Sequence, residues 1–192
     1  VPPPTPAAAT GCGEAFGNAI HHDYPGDDVD DLLSGVDAVL GRGSVDEDRL
    51  FVTGGSGGGV LTAWIVGHTG RFRAAVAAKP VVNWYSWALT ADMYPYGVKY
   101  WFPGMPWNHR DHYMDRSPLS YVDHVTTPTM LLTGTEDYRT PMSEAEQFYQ
   151  ALKLREVEAA LVRVPGAAPS IAPRPTQPAA RTSPRPACFP PH

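Results

Sequence analysis

The sequence contains little cysteine, no long apolar run and no cluster of basic side chains. Its two cysteines, Cys12 and Cys188, lie near opposite ends of the 192 residues, so two free thiols are expected, and no spacing typical of a metal site occurs. No apolar run approaches the ~20 residues that a membrane helix needs, and the N-terminus lacks the basic start and apolar centre of a signal peptide. These absences predict a cytoplasmic protein with no metal, no cofactor and no membrane partner.

Positive charge is also scarce. Lysine and arginine number 15 against 20 aspartates and glutamates, which gives a formal net charge of −5. A nucleic-acid-binding surface needs a basic patch or stripe of Lys and Arg, and the sequence has no such stripe. We therefore expect no nucleic acid among the partners, and the length is that of one domain.

Both ends of the chain are poor in the residues that build a core. Residues 1–10 are Pro, Ala and Thr with one Val, and eight of the 26 residues in 167–192 are proline. Prolines at that spacing are incompatible with a helix or a central strand. We expect an irregular Pro/Ala-rich end at 1–10, a folded domain at 11–166 and a disordered Pro-rich tail at 167–192.

Between these ends, strand patterns alternate with helix patterns. A helix is predicted over Asp27–Leu40, with Asp27 as its N-cap, because apolar residues recur there at three- and four-residue steps. Ser143 and Glu146 have the spacing of a capping box that opens another helix. Buried strands are predicted at three places: 74–78, 129–133 and 159–164. This alternation predicts a parallel sheet with right-handed crossovers, whose sites lie at the carboxyl ends of the strands.

The most informative stretch is the run Gly54–Gly58, which reads Gly-Gly-Ser-Gly-Gly after the apolar residues Leu50–Val52. A segment with helical spacing follows it. Gly-x-Ser-x-Gly between a strand and a helix is the pattern of a nucleophile elbow, a sharp turn that exposes a serine hydroxyl. Ser56 is therefore the candidate nucleophile. A phosphate-binding or dinucleotide-binding loop is the alternative, but the lysine and the acidic residue that those loops require do not follow in register.

A serine nucleophile needs a base, and a carboxylate usually orients that base. In the α/β-hydrolase order, the acid follows the serine on a later loop. Asp137, in the loop after the predicted strand 129–133, fits this place, and the adjacent Glu136 competes for it. The backbone N–H of Gly57 is the expected oxyanion-hole donor, whereas a His-Gly-Gly loop for the second donor is absent from the sequence.

Five features of residues 10–166 occur together: His21–Asp28, Gly54–Gly58, Trp107, Ser117–Leu119 and Thr133–Pro141. In combination they resemble the catalytic domain of the prolyl oligopeptidase family of serine peptidases, within it the acylaminoacyl-peptidase and dipeptidyl-peptidase-like members. The resemblance implies a peptidase for short peptides, with Ser56 as nucleophile and Asp137 as triad acid. It also implies a truncated α/β-hydrolase fold: an incomplete, mostly parallel sheet with helices on both faces, lacking the early N-terminal strands and the β-propeller of full-length relatives.

The sequence departs from the family at the general base. In the family, the strand corresponding to 160–164 leads into Pro-Gly-Ala-x-His-Gly, whose histidine is the base; here Pro169 stands in its place. Proline cannot accept a proton. His192 is the one histidine after Asp137, and it belongs to the Pro-rich tail. We therefore expect the family's chemistry to be impaired in this chain.

Two alternative functions stay open at this point. The same elbow and acid serve a carboxylesterase, since esters and peptides are cleaved through the same acyl-enzyme. A non-catalytic homologue could instead bind peptides or a partner through the aromatic segment 83–107. That segment follows the strand after the elbow helix. Its aromatic side chains fit either an apolar wall of a substrate pocket or ordinary packing in the core.

Overall fold

Four parallel strands form one sheet whose order follows the order of the chain. The structure is a computed structural model and describes residue 18 and residues 20–169. The strands are β1 (Phe51–Gly55), β2 (Ala74–Ala78), β3 (Thr129–Gly134) and β4 (Ala159–Val164), and each pairs in parallel with the next. Helices lie in every connection between these strands, so the predicted parallel α/β sheet is confirmed.

The described residues form six α-helices and two short 3-10 helices. The α-helices are α1 (Asp27–Leu40), α2 (Gly57–His68), α3 (Trp84–Thr90), α4 (Tyr94–Tyr100), α5 (Arg110–Asp115) and α6 (Met142–Leu154). The 3-10 helices are Glu47–Arg49 and Pro118–His124. None of these helices is long and apolar enough to cross a bilayer.

Helices α2 and α6 pack against the same face of the sheet. Ala63 of α2 and Phe148 of α6 are fully buried in one cluster with Ala77 and Leu131, which are register partners on β2 and β3. Strand β2 consists of Ala and Val and is buried throughout, so the helices approach the sheet closely. Helix α2 is buried on nearly all sides. This burial fixes the start of α2 and the turn before it.

The N-cap of α1 differs from the predicted one. Gly26 occupies the cap position and Asp27 is the first helical residue. The carboxylate of Asp23 accepts the Asp27 N–H at 3.1 Å, and the buried carboxylate of Asp28 accepts the Gly26 N–H at 2.8 Å. The acidic side chains therefore do satisfy the helix start, as predicted, but from positions on either side of the expected cap.

The predicted capping box of α6 does not form. The helix begins at Met142 after Pro141, and no side chain caps its first turn. Glu146 instead pairs with Arg163 on the neighbouring strand β4, with 3.0 Å between Oε1 and Nη2. Glu146 pairs with Arg163 and does not cap the start of α6, because the position of α6 on the sheet brings these two charges together.

The fold continues past residue 166. Ala167, which falls in the predicted tail, is fully buried against Ala78, Leu132 and Val164. Its carbonyl oxygen accepts the N–H of Glu136 at 3.1 Å. The folded part therefore extends to Pro169 instead of ending at residue 166. Residues 170–192 of the predicted tail and the predicted irregular end at 1–10 lie outside the described residues.

An apolar groove of about 580 Å³ lies beside β1, which is the edge strand of the described sheet. Side chains of α1, β1 and α2 line it, among them Leu33, Val36 and Leu61. An apolar sheet edge with a groove beside it favours pairing between chains.

We expect the isolated chain to self-associate through this groove and a charge inside it to oppose the association. Val36 is half-buried in the groove, so Val36→Lys should shift the chain towards monomer because burying the ammonium is unfavourable. Ala38→Lys is the control, since Ala38 is an exposed residue of the same helix outside the groove. Light scattering after gel filtration measures the mass. Equal masses for the two variants would contradict the expectation.

Candidate active site

Ser56 lies on a sharp turn between β1, which ends at Gly55, and α2, which begins at Gly57. Its backbone has φ 58° and ψ −120°, a conformation that is strained for a residue with a side chain. The Ser56 N–H donates to the carbonyl of Ala78 on β2 at 2.9 Å. The side chain is exposed. The predicted strand–turn–helix geometry is therefore present, and the role of Ser56 as nucleophile stays a prediction.

The glycines around Ser56 allow a close approach of backbone to backbone. A Cβ on Gly54 would lie 2.1 Å from the carbonyl oxygen of Gly58, and a Cβ on Gly59 would lie 2.5 Å from the carbonyl oxygen of Ala78. Contacts below 3.0 Å require the backbone to move. The elbow therefore depends on glycine at these two positions.

The N–H of Gly57 points from the first position of α2, where a helix has no internal acceptor. Its surroundings include Tyr24, whose hydroxyl donates to the carbonyl of Gly57 at 3.2 Å. Burial raises the pKa of the Tyr24 hydroxyl well above its ordinary value, with a smaller contribution from Asp28. Tyr24 was not predicted as a site residue. Only its place in the motif His21–Asp28 drew attention to it.

Arg116, which follows α5, holds the segment that carries Tyr24. Its guanidinium pairs with the Asp23 carboxylate and donates to the carbonyl oxygen of Pro25 at 2.7 Å. These contacts join residues that are about 90 positions apart in the chain. The sequence pattern gave no signal for them.

Asp137 lies after β3, on the same edge of the sheet as Ser56, and is 3% exposed. Its Oδ1 accepts the N–H of Arg139 at 3.0 Å and of Thr140 at 2.8 Å, and its Oδ2 accepts the Thr140 hydroxyl at 3.0 Å. A carboxylate has about four acceptor sites, so one stays available for a further donor. The competing Glu136 is exposed. The geometry favours Asp137 over Glu136 as an orienting acid.

Pro169, which is expected from the sequence to stand in the place of the family's histidine, lies after β4. The turn that follows β4 lies against the loop that carries Asp137, because the N–H of Gly166 donates to the Thr135 hydroxyl at 2.8 Å. The carbonyl of Pro169 accepts a hydrogen bond from Lys79 Nζ at 2.7 Å. Within residue 18 and residues 20–169, no histidine lines the pocket beside Ser56, and no group of three His, Cys, Asp or Glu is arranged to hold a metal ion.

A narrow pocket of about 40 Å³ opens beside Ser56 and Gly57. The aromatic segment forms much of its wall, through Trp84, Trp87, Met93 and Trp101. Trp107 of the same segment is 61% exposed and lies outside the wall. The predicted apolar wall is therefore present in part, and the rest of the segment packs elsewhere or faces solvent.

Two contacts join this wall to the Asp137 loop. The indole N–H of Trp87 donates to the carbonyl oxygen of Arg139 at 2.9 Å, and the Arg139 guanidinium pairs with Asp92 at 2.7 Å. Trp84 is 1% exposed, and its indole N–H has no hydrogen-bond partner among the described residues.

Glu144 of α6 is fully buried behind this wall. Its Oε2 accepts the N–H groups of Val82 and Asn83 at 3.0 and 2.9 Å, and its Oε1 accepts the Ser86 hydroxyl. Burial raises the pKa of the Glu144 carboxyl above its usual value, although these hydrogen bonds oppose the shift. The carboxyl therefore anchors the start of α3, which carries two of the pocket tryptophans, to α6.

We expect Glu144→Ala to lower the free energy of unfolding by about 3 kcal/mol, because two buried N–H groups lose their acceptor. Glu144→Gln keeps an acceptor oxygen and should cost less than about 1 kcal/mol. Since the folded pKa lies above the unfolded value, the stabilising contribution of the carboxyl is present at low pH and is lost as the pH rises through the folded pKa. Denaturant unfolding at pH 5 and pH 8 measures this. Between these pH values, the wild type should lose stability relative to Glu144→Gln. A parallel pH dependence of both proteins would contradict the expectation.

Residues 5–177 match the prolyl oligopeptidase family, described as Peptidase_S9. The chain belongs to this family. It is 41% identical over 168 residues to the uncharacterized peptidase YuxL of Bacillus subtilis strain 168. This match covers 84% of this chain and 25% of YuxL. It is 33% identical over 164 residues to acylamino-acid-releasing enzyme 1 of Oryza sativa subsp. japonica, covering 78% and 21% of the two proteins.

Among solved structures, the acylaminoacyl peptidase of Pyrococcus horikoshii superposes with a TM-score of 0.83 at 26% identity. The match covers 88% of this chain and 28% of that one. The α/β-hydrolase fold and the membership in a family of serine peptidases, both predicted from the motifs, are thereby confirmed. The chain spans about a quarter of the length of these relatives.

Proposed function

We propose that this chain carries the catalytic site of a serine peptidase that hydrolyses short peptides through an acyl-enzyme on Ser56. The observation that carries the proposal is the exposed serine on its strained turn, with the buried carboxylate of Asp137 on the same edge of the sheet. Membership in the prolyl oligopeptidase family supports it. The relatives that are named acylamino-acid-releasing enzyme or acylaminoacyl peptidase suggest a peptide substrate for this chain as well.

In the proposed reaction, Ser56 Oγ attacks the carbonyl carbon of the substrate and the carbonyl oxygen takes up negative charge. The N–H of Gly57 donates to this oxygen at the positive end of the α2 dipole. As the carbon–nitrogen bond breaks, the amine leaves with the proton that Ser56 Oγ has given up, and water then hydrolyses the acyl-enzyme. In a complete triad, the carboxylate in the place of Asp137 orients the imidazole base by accepting its N–H.

We also propose that peptide hydrolysis by this chain is impaired, because Pro169 offers no atom that can take the serine proton. Removing the triad histidine of a well-studied serine protease lowers kcat by about 10⁶. We infer that this chain turns over peptides far more slowly at neutral pH than a complete triad does. The greater length of the relatives supports a β-propeller in the parent protein, beside the catalytic unit that this chain carries.

The test compares aminoacyl anilides with p-nitrophenyl esters as substrates at pH 8. Ester hydrolysis should be measurable, since p-nitrophenolate leaves without a proton, and it should fall to the buffer rate in Ser56→Ala. Ser143→Ala is the matched control, because Ser143 is exposed on α6. A rate in Ser56→Ala equal to that of the control would refute the proposal. In the Pro169→His chain, where an imidazole supplies the base, activity on esters without activity on anilides would favour a carboxylesterase.

A non-catalytic, peptide-binding homologue is the second candidate. The aromatic wall of the pocket favours it, since Trp84, Trp87 and Trp101 offer apolar surface to a peptide side chain beside Ser56. Binding of an acetylated dipeptide, followed by tryptophan fluorescence, would be unchanged in Ser56→Ala if this candidate holds. Binding without any Ser56-dependent ester hydrolysis would decide in its favour.

A further inference from the structure

Lys79 follows β2 as Ser56 follows β1, at the same edge of the sheet. Gly55 and Ala78 are register partners, so Ser56 and Lys79 are the next residues of two neighbouring chain segments. The hydrogen bond from the Ser56 N–H to the Ala78 carbonyl locks the segments together. A Cβ placed on Gly55 would lie 3.9 Å from Lys79 Cε. The stem of Lys79 therefore runs along the elbow.

The amine of Lys79 reaches the place of the missing histidine. Lys79 has φ 52°, in the left-handed region that side chains rarely adopt, and it is half-buried. Its Nζ donates to the carbonyl oxygen of Pro169 at 2.7 Å. One side chain thus connects the residue beside the candidate nucleophile with the residue that replaces the base.

No carboxylate competes for this amine among the described residues. Glu136 and Asp137 follow the neighbouring strand β3, and neither forms an ion pair with Lys79. Arg163 on β4 is the charged residue of the next strand, and it pairs with Glu146. Among the described residues, the hydrogen-bond partner of the Lys79 amine is therefore a neutral carbonyl, and the four-carbon stem that carries this amine is flexible.

We propose that Lys79 is the general base for Ser56 in this chain, forming a serine–lysine pair in place of the triad. The proposal rests on the proposed role of Ser56. The neutral amine takes the Oγ proton while the Oγ–carbon bond forms and the carbonyl electrons move onto oxygen. As the intermediate collapses and the carbon–nitrogen bond breaks, the ammonium returns that proton to the leaving amine. Serine–lysine pairs perform this chemistry on unrelated folds.

The test is the rate at which a fluorophosphonate labels Ser56 between pH 7 and pH 10. In this reaction the Oγ–phosphorus bond forms, fluoride leaves, and the Oγ proton passes to Nζ. Labelling of the wild type should exceed the rate of Ser56→Ala, which lacks the attacking Oγ. At pH 9, Lys79→Met should label about 100-fold more slowly, the size of a general-base contribution. Lys79→Arg should be equally slow, because arginine keeps a donor for Pro169 but does not lose its proton.

The Lys79→Arg variant distinguishes two roles of Lys79, which are accepting the Ser56 proton and donating a hydrogen bond to the Pro169 carbonyl. Wild-type rates in Lys79→Arg with slow rates in Lys79→Met would overturn the proposal, because Lys79 then only holds the turn at Pro169. Equal rates in all three proteins would overturn it as well. In both cases the labelling of Ser56 would still support its role as the nucleophile. A wild type that stays unlabelled up to pH 10 would refute both proposals. Equal melting temperatures of the three proteins show that folding is not the cause.

Discussion

Replacing Pro169 with histidine is expected to raise kcat for p-nitrophenyl ester hydrolysis at pH 8 by roughly a thousandfold. Loss of this histidine costs about 10⁶ in a well-studied serine protease, and an imidazole restored to an unevolved site should recover part of that. The turn at Pro169 already lies against the loop of Asp137. Asp137 also has an acceptor site left for an imidazole N–H. Steady-state kinetics from pH 5.5 to 8.5 measures the gain, which should appear as the imidazole loses its proton near pH 6.5.

Three variants control this experiment. Pro169→Ala removes the ring without supplying a base, so its kcat should stay within about threefold of the wild type. Adding Asp137→Asn to Pro169→His should remove most of the gain, because the wrong imidazole tautomer is then held. Adding Lys79→Met to Pro169→His should leave the gain in place, since the imidazole takes over the proton. Equal kcat values for Pro169→His and Pro169→Ala would contradict this account. They would show that Ser56 and Asp137 are not arranged to work with a histidine at position 169.

Gly54→Ala is expected to lower the free energy of unfolding by about 3 kcal/mol, at the upper end of the cost of overpacking. The added Cβ would lie 2.1 Å from the carbonyl oxygen of Gly58, which is backbone and cannot rotate away. For a chain of this size the melting temperature should fall by roughly 6–12 °C. Differential scanning calorimetry measures it.

The matched control for this prediction is Gly58→Ala. A Cβ on Gly58 meets no atom within 4 Å, and alanine is the better helix former by about 1 kcal/mol in a helix interior. Its melting temperature should therefore be unchanged or higher. Similar losses in both variants would mean that the elbow is not held by the close approach of Gly54 to Gly58.

The elements that the sequence predicted well are those with a local signal. The strand, turn and helix around Ser56 follow from a short apolar run, a glycine-rich turn and helical spacing within 20 residues. The preference for Asp137 over Glu136 came from the family pattern, and the burial of one and the exposure of the other agree with it.

The contacts that sequence reasoning missed join distant parts of the chain. Tyr24 and Gly57 are 33 positions apart, Val82 and Glu144 are 62 apart, and Lys79 and Pro169 are 90 apart. Each depends on how helices and loops pack on the carboxyl edge of the sheet, and no periodicity records that packing. The predicted capping box of α6 was wrong for the same reason. Arg163 is 17 positions from Glu146 in the chain, and the fold brings the two side chains together.

The site of fluorophosphonate attachment in the Pro169→His chain tests most directly whether Ser56 is a nucleophile on an intact elbow. Peptide mass mapping after reaction at pH 8 should find one adduct per chain, on the peptide that contains Ser56, and none when Ser56→Ala is added. An adduct on another residue, or an adduct that persists without Ser56, would contradict the account.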